Sequence, residues 1–85
     1  MPKHNRGRRP RIVFTEPAET QVRLLSTAQT AALDATLNVI AADPGGVKHH
    51  ATAPALRDYQ HDGVRAIFYA TALGSILIVT YVEVD

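Results

Sequence analysis

The chain has 85 residues and no cysteine, so it forms one small domain with a modest core and without disulfides or thiolate metal sites. Hydrophobic residues make up 46% of it and charged residues 20%, a composition typical of globular rather than disordered chains. The longest apolar run, residues 75–82, is too short to span a bilayer, and no apolar signal core follows the N-terminus. We therefore expect a cytoplasmic protein.

The net charge of +1 hides an uneven distribution. Residues 1–10 contain two prolines, a glycine and almost no apolar side chain, which predicts a flexible arm ahead of one domain over residues 11–85. Five of the nine basic side chains lie within the first eleven residues: Lys3, Arg6, Arg8, Arg9 and Arg11. The rest of the chain holds four basic and eight acidic side chains, a net charge of −4. The arm is either a solvated tail or, together with Lys48, a contact for RNA phosphates.

Residues 11–15 (RIVFT) predict a short first strand. Thr15 is then expected to cap a helix whose first turn contains Glu16, Pro17 and Glu19. Proline is tolerated in a first turn, and acidic side chains suit the positive end of the helix dipole.

A second helix is indicated by Ser26 and Gln29, which have the spacing of a capping box. Its apolar side lies at positions i, i+4 and i+7, occupied by Leu33, Leu37 and Ile40. The Asp-Pro-Gly-Gly sequence at residues 43–46 ends the resulting helical hairpin.

The C-terminal part predicts two long strands, residues 63–71 and 75–84, joined by a tight turn and preceded by a strand-like lead-in. Alternation gives the first strand an apolar face, Val64, Ala66, Phe68 and Ala70, opposite Arg65, Ile67, Tyr69 and Thr71. In the second strand it places Ile76, Ile78, Thr80, Val82 and Val84 opposite Leu77, Val79, Tyr81, Glu83 and Asp85. We expect helices on the apolar face, and function on the mixed face with Arg65, Tyr69, Tyr81 and Glu83.

The histidines do not indicate a metal site. His49 and His50 are adjacent in a loop, where neighbouring side chains point different ways, and no further ligand stands at a familiar spacing. His61 lies in a turn-like stretch between strands. No phosphate-binding or nucleophile-elbow motif is present, and the order strand, helix, helix, strands predicts an α+β fold.

Several short motifs together resemble one family. They are the RIVFT strand, the hairpin end at residues 42–44, the Leu-Arg-Asp-Tyr lead-in at 56–59, the Asp-Gly-Val-Arg-Ala-Ile-Phe-Tyr strand at 62–69 and the Ile-Leu-Ile-Val-Thr-Tyr-Val strand at 76–82. In these respects the chain resembles the RelE/ParE superfamily of small toxins from bacterial type II toxin–antitoxin pairs. The resemblance implies an α+β fold in which an N-terminal strand and a helical hairpin pack on a largely antiparallel sheet of about four strands.

For RelE-like members the implied activity is cleavage of messenger RNA in the ribosomal A site, without metal or cofactor. The RNA 2′-hydroxyl attacks the neighbouring phosphate while basic side chains stabilise the developing charge. The resemblance assigns the phosphate-stabilising role to Arg65 and suggests Arg57 as a second cation. His61 would be an acid or base, and Tyr81 would stack on a base or relay a proton.

The last strand departs from this pattern, because two acids, Glu83 and Asp85, stand where the family's nucleases carry basic residues. Glu83 is either a general base or an ion-pair partner of Arg65. The departure favours the alternatives, a ParE-like toxin that binds a topoisomerase without nuclease activity or a catalytically inactive binding module.

Each alternative implies a cognate antitoxin that covers the mixed face, where Ile67, Leu77 and Val79 are expected to be exposed. The ribosome and messenger RNA are further partners if the protein is active. Assembly as a homodimer or as a hetero-oligomer with the antitoxin is expected to be possible, and no membrane partner is expected.

Overall fold

The computed structural model describes residues 10–49, 52, 55–71 and 75–85. Its elements, in chain order, are β1 (Arg11–Phe14), α1 (Ala18–Arg23), α2 (Thr27–Ala42), a 3-10 turn (Pro44–Gly46), β2 (Arg57–His61), β3 (Val64–Ala70) and β4 (Ile76–Val84). The predicted arm, apart from Pro10, and the centre of the predicted turn before β4 lie outside the described residues. None of the described helices is long and apolar enough to cross a membrane.

The four strands form one sheet in the order β1-β4-β3-β2. Strands β2, β3 and β4 are antiparallel neighbours, whereas β1 runs parallel to β4 at the edge. Asp62 and Gly63 connect β2 to β3 with positive φ angles of 50° and 79°, the backbone of a two-residue hairpin turn. The predicted α+β class is confirmed, and the strand order, which sequence patterns leave open, is now defined.

The start of α2 confirms the predicted capping box. The Ser26 backbone N–H donates to Gln29 Oε1 at 2.8 Å, and the Gln29 N–H donates to Ser26 Oγ at 3.1 Å. The predicted Thr15 cap of α1 is wrong, because α1 begins after Pro17 and no side chain caps that position. Instead the Thr20 N–H donates to the Glu16 carboxylate at 3.1 Å. The Glu16 side chain therefore accepts one of the backbone N–H groups of the first turn.

Both helices lie on one face of the sheet and enclose the core. Its buried side chains come from both helices, the loop before β2 and two strands, β3 and β4: Ala18, Leu33, Leu37, Ile40, Ala41, Val47, Val64, Ala66, Phe68, Leu77, Val79 and Val82. The one buried polar side chain among the described residues, Thr36, donates its hydroxyl to the Ala32 carbonyl at 3.0 Å. The predicted apolar stripe of α2 therefore faces the sheet.

A β-bulge in β4 changes the predicted faces of that strand. Ile67 pairs with Tyr81, and the next residue of β3, Phe68, pairs with Val79. The pairing therefore skips Thr80, which is the extra residue of the bulge. The alternation predicted for β4 is therefore wrong: Leu77 and Val79 are both 0% exposed and share the core with Val82. Neither is available on the mixed face, where the uninterrupted alternation had placed them.

Candidate functional site

The sheet has an outer face, turned away from the helices. No element covers this face within the part of the chain that the structure describes. From the strand register its side chains are Arg11, Val13, Asp58, Gln60, Arg65, Ile67, Tyr69, Ile76, Ile78, Tyr81 and Glu83. Most are partly buried by one another, and Tyr69 is 39% exposed. An uncovered face of this kind is where a small domain meets a ligand or partner.

The strongest polar contact on the outer face joins Arg65 of β3 to Asp58 of β2. Arg65 Nε donates to Asp58 Oδ1 at 3.0 Å, and Nη2 donates to Oδ2 at 2.6 Å, a fork-to-fork ion pair. These hydrogen bonds, and the charge of Asp58, raise the pKa of the Arg65 guanidinium above its usual range. Arg65 therefore carries a fixed positive charge whose orientation Asp58 sets.

Glu83 of β4 lies on the other side of Arg65, directly opposite it in the register. Its Oε1 is 4.0 Å from Arg65 Nη1, which is an ion-pair distance but too long for a hydrogen bond. The Glu83 side chain is 57% exposed, against 35% for Arg65 and 23% for Asp58. Among the described residues, Arg65 Nη1 therefore makes no hydrogen bond and lies beside a solvated carboxylate.

Tyr81 lies two residues before Glu83 and pairs with Ile67 in the register. Both are on the outer face, so the predicted residues Arg65, Tyr81 and Glu83 are brought to one region of the sheet. These three side chains bring together one cation, one phenol and one carboxylate, and Asp58 adds a second carboxylate. The formal charge of this group is −1.

Arg57 and His61 do not join this group. They pair with Phe68 and Val64, which are buried beneath the helices, so both residues belong to the opposite face of β2. Arg57 Nη1 donates to the Val47 carbonyl at 2.6 Å and thereby ties the loop to the strand. His61 Nε2 is 3.3 Å from the Asp62 carboxylate at the exposed hairpin turn. The geometry assigns both side chains local contacts away from Arg65; whether either takes part in catalysis stays a prediction.

Two of the predicted RNA contacts are described, and they lie at opposite edges of the sheet. Arg11 begins the edge strand β1, next to Ile76, and Lys48 lies in the loop beside β2, where its carbonyl accepts from the Asp58 N–H at 3.0 Å. Both side chains are exposed. The other four candidates, Lys3, Arg6, Arg8 and Arg9, lie outside the described residues, as does His50.

The prediction for the outer face missed Asp58. A signal existed: the two-residue turn at Asp62-Gly63 sets Gln60 opposite Arg65, and Asp58 is then the diagonal neighbour that a long side chain reaches. Among the described residues no three His, Asp or Glu side chains are grouped so that they could hold a metal ion.

Comparisons with known proteins agree on the architecture. A chain of the crystallised toxin–antitoxin complex RelBE2 from Mycobacterium tuberculosis superposes with a TM-score of 0.74 at 11% identity, over 91% of this chain and 99% of that one. An arginine-to-alanine double mutant of Escherichia coli toxin RelE superposes with a TM-score of 0.69 at 18% identity, over 88% of this chain and 82% of that one when free. The same mutant bound to an antitoxin RelB peptide gives 0.69 over 89% and 83%. No family model and no curated protein sequence matches. The chain therefore has the fold of the RelE toxins.

Proposed function

We propose that this protein is the toxin of a type II toxin–antitoxin pair. The observation that carries the proposal is the likeness to RelE over nearly the whole of both chains, in structures that include complexes with antitoxin. The uncovered outer face supports it, since a small chain with such a face gains stability from any partner that covers it. The cognate antitoxin is the partner we propose.

Within this role we propose metal-independent cleavage of messenger RNA on the ribosome. The 2′-oxygen would bond to the adjacent phosphorus while the bond to the 5′-oxygen breaks, leaving a 2′,3′-cyclic phosphate and a 5′-hydroxyl. Arg65 suits the phosphate because its Nη1 has no hydrogen bond within the described chain and its charge is fixed. Glu83, exposed beside it, would accept the 2′-hydroxyl proton, and Tyr81 would donate one to the departing oxygen or hold the base.

One observation favours a second candidate, a toxin of this fold that acts by binding a protein target without cleaving RNA. Asp58 already occupies one full edge of the Arg65 guanidinium, and with Glu83 it gives the group a formal charge of −1. A phosphate approaching this group meets two carboxylates and one cation. Such a surface suits a protein partner better than a polyanion.

Inducible expression in a bacterium, combined with primer extension on a translated message, tests both candidates. For the nuclease we expect growth arrest with new ribosome-dependent 5′ ends, both lost in Arg65→Ala and retained in Arg23→Ala, an exposed arginine on α1 that serves as the control. Growth arrest without cleavage would support the protein-binding toxin. Absence of growth arrest from folded protein would contradict the toxin proposal itself.

Asp58→Asn refines the test, because it keeps the shape of the partner and removes its charge. If Asp58 orients Arg65 for catalysis, cleavage falls by about tenfold or more, the cost of losing a charge-assisted hydrogen bond. If Asp58 instead competes with phosphate, cleavage rises. The same variant leaves growth arrest unchanged if the target is a protein that does not contact Arg65.

A further inference from the structure

The outer face has an apolar band across its centre and charge at both ends. The band consists of Val13, Ile67, Tyr69, Ile76, Ile78 and Tyr81. At one end Arg11 lies beside Ile76 and has no acidic partner among the described residues. At the other end Glu83, with Asp58 and Arg65, gives a net charge of −1. The two ends of this face therefore have opposite signs.

Within one chain these ends cannot neutralise each other. Seven residue steps separate Ile76 from Glu83 along β4, which is about 20 Å at the rise of an extended strand. Charges on a protein surface are largely screened beyond about 8–10 Å at physiological salt. A partner that satisfies both ends must therefore present the opposite order of charges along the face.

A second copy of the same chain presents that order. Consider a two-fold axis that lies between the two sheets, perpendicular to β4 and level with the step from Val79 to Thr80. Rotation about it reverses the direction of the strands. It places Ile78 of one copy over Tyr81 of the other. Tyr69 pairs with Ile78 and Ile67 pairs with Tyr81 within each sheet, so Tyr69 lies over Ile67 of the second copy. Apolar side chains then meet apolar side chains in the centre of the band, while Ile76, at its end, lies over Glu83 of the second copy.

The same rotation brings the charged ends together. Arg11 of each copy approaches Glu83 of the other, which forms two equivalent ion pairs. The Asp58–Arg65 pair approaches the end of the partner's sheet where Thr71 and Ser75 lie, whose hydroxyls are polar and uncharged. No like charges are opposed among the residues that the structure describes. We propose that, when neither antitoxin nor messenger RNA occupies the outer face, a second copy of this chain covers it, in a two-fold dimer of antiparallel stacked sheets.

Sedimentation equilibrium of the purified full chain, from low to high micromolar concentration, tests this arrangement. We expect the mass to approach twice the 9.2 kDa of the chain as concentration rises. Tyr69→Lys places two lysines in the apolar band and should weaken the dimer by at least about a hundredfold. Val39→Lys is the matched control, because Val39 is 49% exposed on α2, away from the outer face, and should leave the dimer unchanged.

A charge swap tests the orientation of the two copies. Arg11→Glu and Glu83→Arg should each raise the dimer dissociation constant by roughly tenfold, since each breaks two surface ion pairs, and the double variant should restore it to near the wild-type value. Circular dichroism confirms that each variant is folded. The proposal is overturned if the chain stays monomeric at every concentration or gains mass only with an antitoxin, if Tyr69→Lys leaves the dimer intact, or if the double variant shows no recovery.

Discussion

Deleting Thr80 should remove the bulge of β4 and leave the core intact. With the bulge, Leu77 and Val79 face the helices together with Val82 and Val84. Thr80 is the extra residue of the strand, so its loss makes Val79 and Tyr81 consecutive, as their β3 partners already are. Strict alternation then keeps all four buried side chains on the core face.

Deleting Ile78 is the contrasting change, because it shortens β4 where alternation is regular. Leu77 and Val79 become neighbours, and only one of them can then face the core. Both are fully buried, and returning one of them to water costs about 1.5–3 kcal/mol, before any cavity left in the core is counted. A chain of 85 residues has a total stability of about 4–13 kcal/mol at the usual value per residue. We expect the Ile78 deletion to lose a large part of the free energy of unfolding and the Thr80 deletion to lose less than about 1 kcal/mol.

Urea titration followed by far-ultraviolet circular dichroism measures this loss. Thr80→Ser is the control, because it keeps the number of residues in β4 and so keeps the bulge, and it should change the free energy of unfolding by less than about 1 kcal/mol. A Thr80 deletion that destabilises the chain as much as the Ile78 deletion would refute the assignment of Thr80 as the extra residue of β4.

Three smaller effects are expected elsewhere in the chain. Gln21 Oε1 accepts the Val82 N–H at 2.8 Å beyond the end of β1, so Gln21→Ala leaves that donor unpaired and costs about 1–3 kcal/mol in the same titration. Ser26→Ala removes one half of the capping box of α2 and costs about 1 kcal/mol. Hydrogen bonds from the Thr20 hydroxyl and backbone N–H lower the pKa of Glu16. Its ionised form therefore stabilises the fold above the ordinary carboxyl pKa, and the advantage of wild type over Glu16→Gln disappears as the pH falls through the lowered value.

Each of these effects has an outcome that would contradict it. Gln21→Glu retains an acceptor oxygen, so a loss of stability as large as that of Gln21→Ala would argue against the hydrogen bond to Val82. Ser26→Thr retains the hydroxyl and should keep most of the stability that Ser26→Ala loses. For Glu16, a stability difference between wild type and Glu16→Gln that does not change with pH would exclude the role of its carboxylate.

Local chemistry in the sequence was sufficient for α2, the second helix of the hairpin. Ser26 and Gln29 define the start of α2 through bonds only three residues apart, and the spacing of Leu33, Leu37 and Ile40 defines its buried side. The faces of β3 were also predictable, because that strand is regular and alternation alone separates Arg65 from Phe68. Such features depend on near neighbours, which a sequence displays directly.

The site depended on pairings that no local pattern encodes. The register of β2 on β3 decides whether Arg57 and Arg65 lie on the same face of the sheet or on opposite faces. A shift of one residue in that register would move Arg57 to the other face. The partner of Arg65 followed from that register too, which made Asp58 its near contact and left Glu83 at 4.0 Å.

The sequence by itself determined the class of fold and the elements that build it, because composition, capping and periodicity act over a few residues. Only the tertiary structure decided the strand order, the bulge at Thr80 and the members of the outer-face site. These arise from contacts between residues far apart in the chain, where several registers satisfy the same hydrophobic pattern and the packing of the whole core selects one.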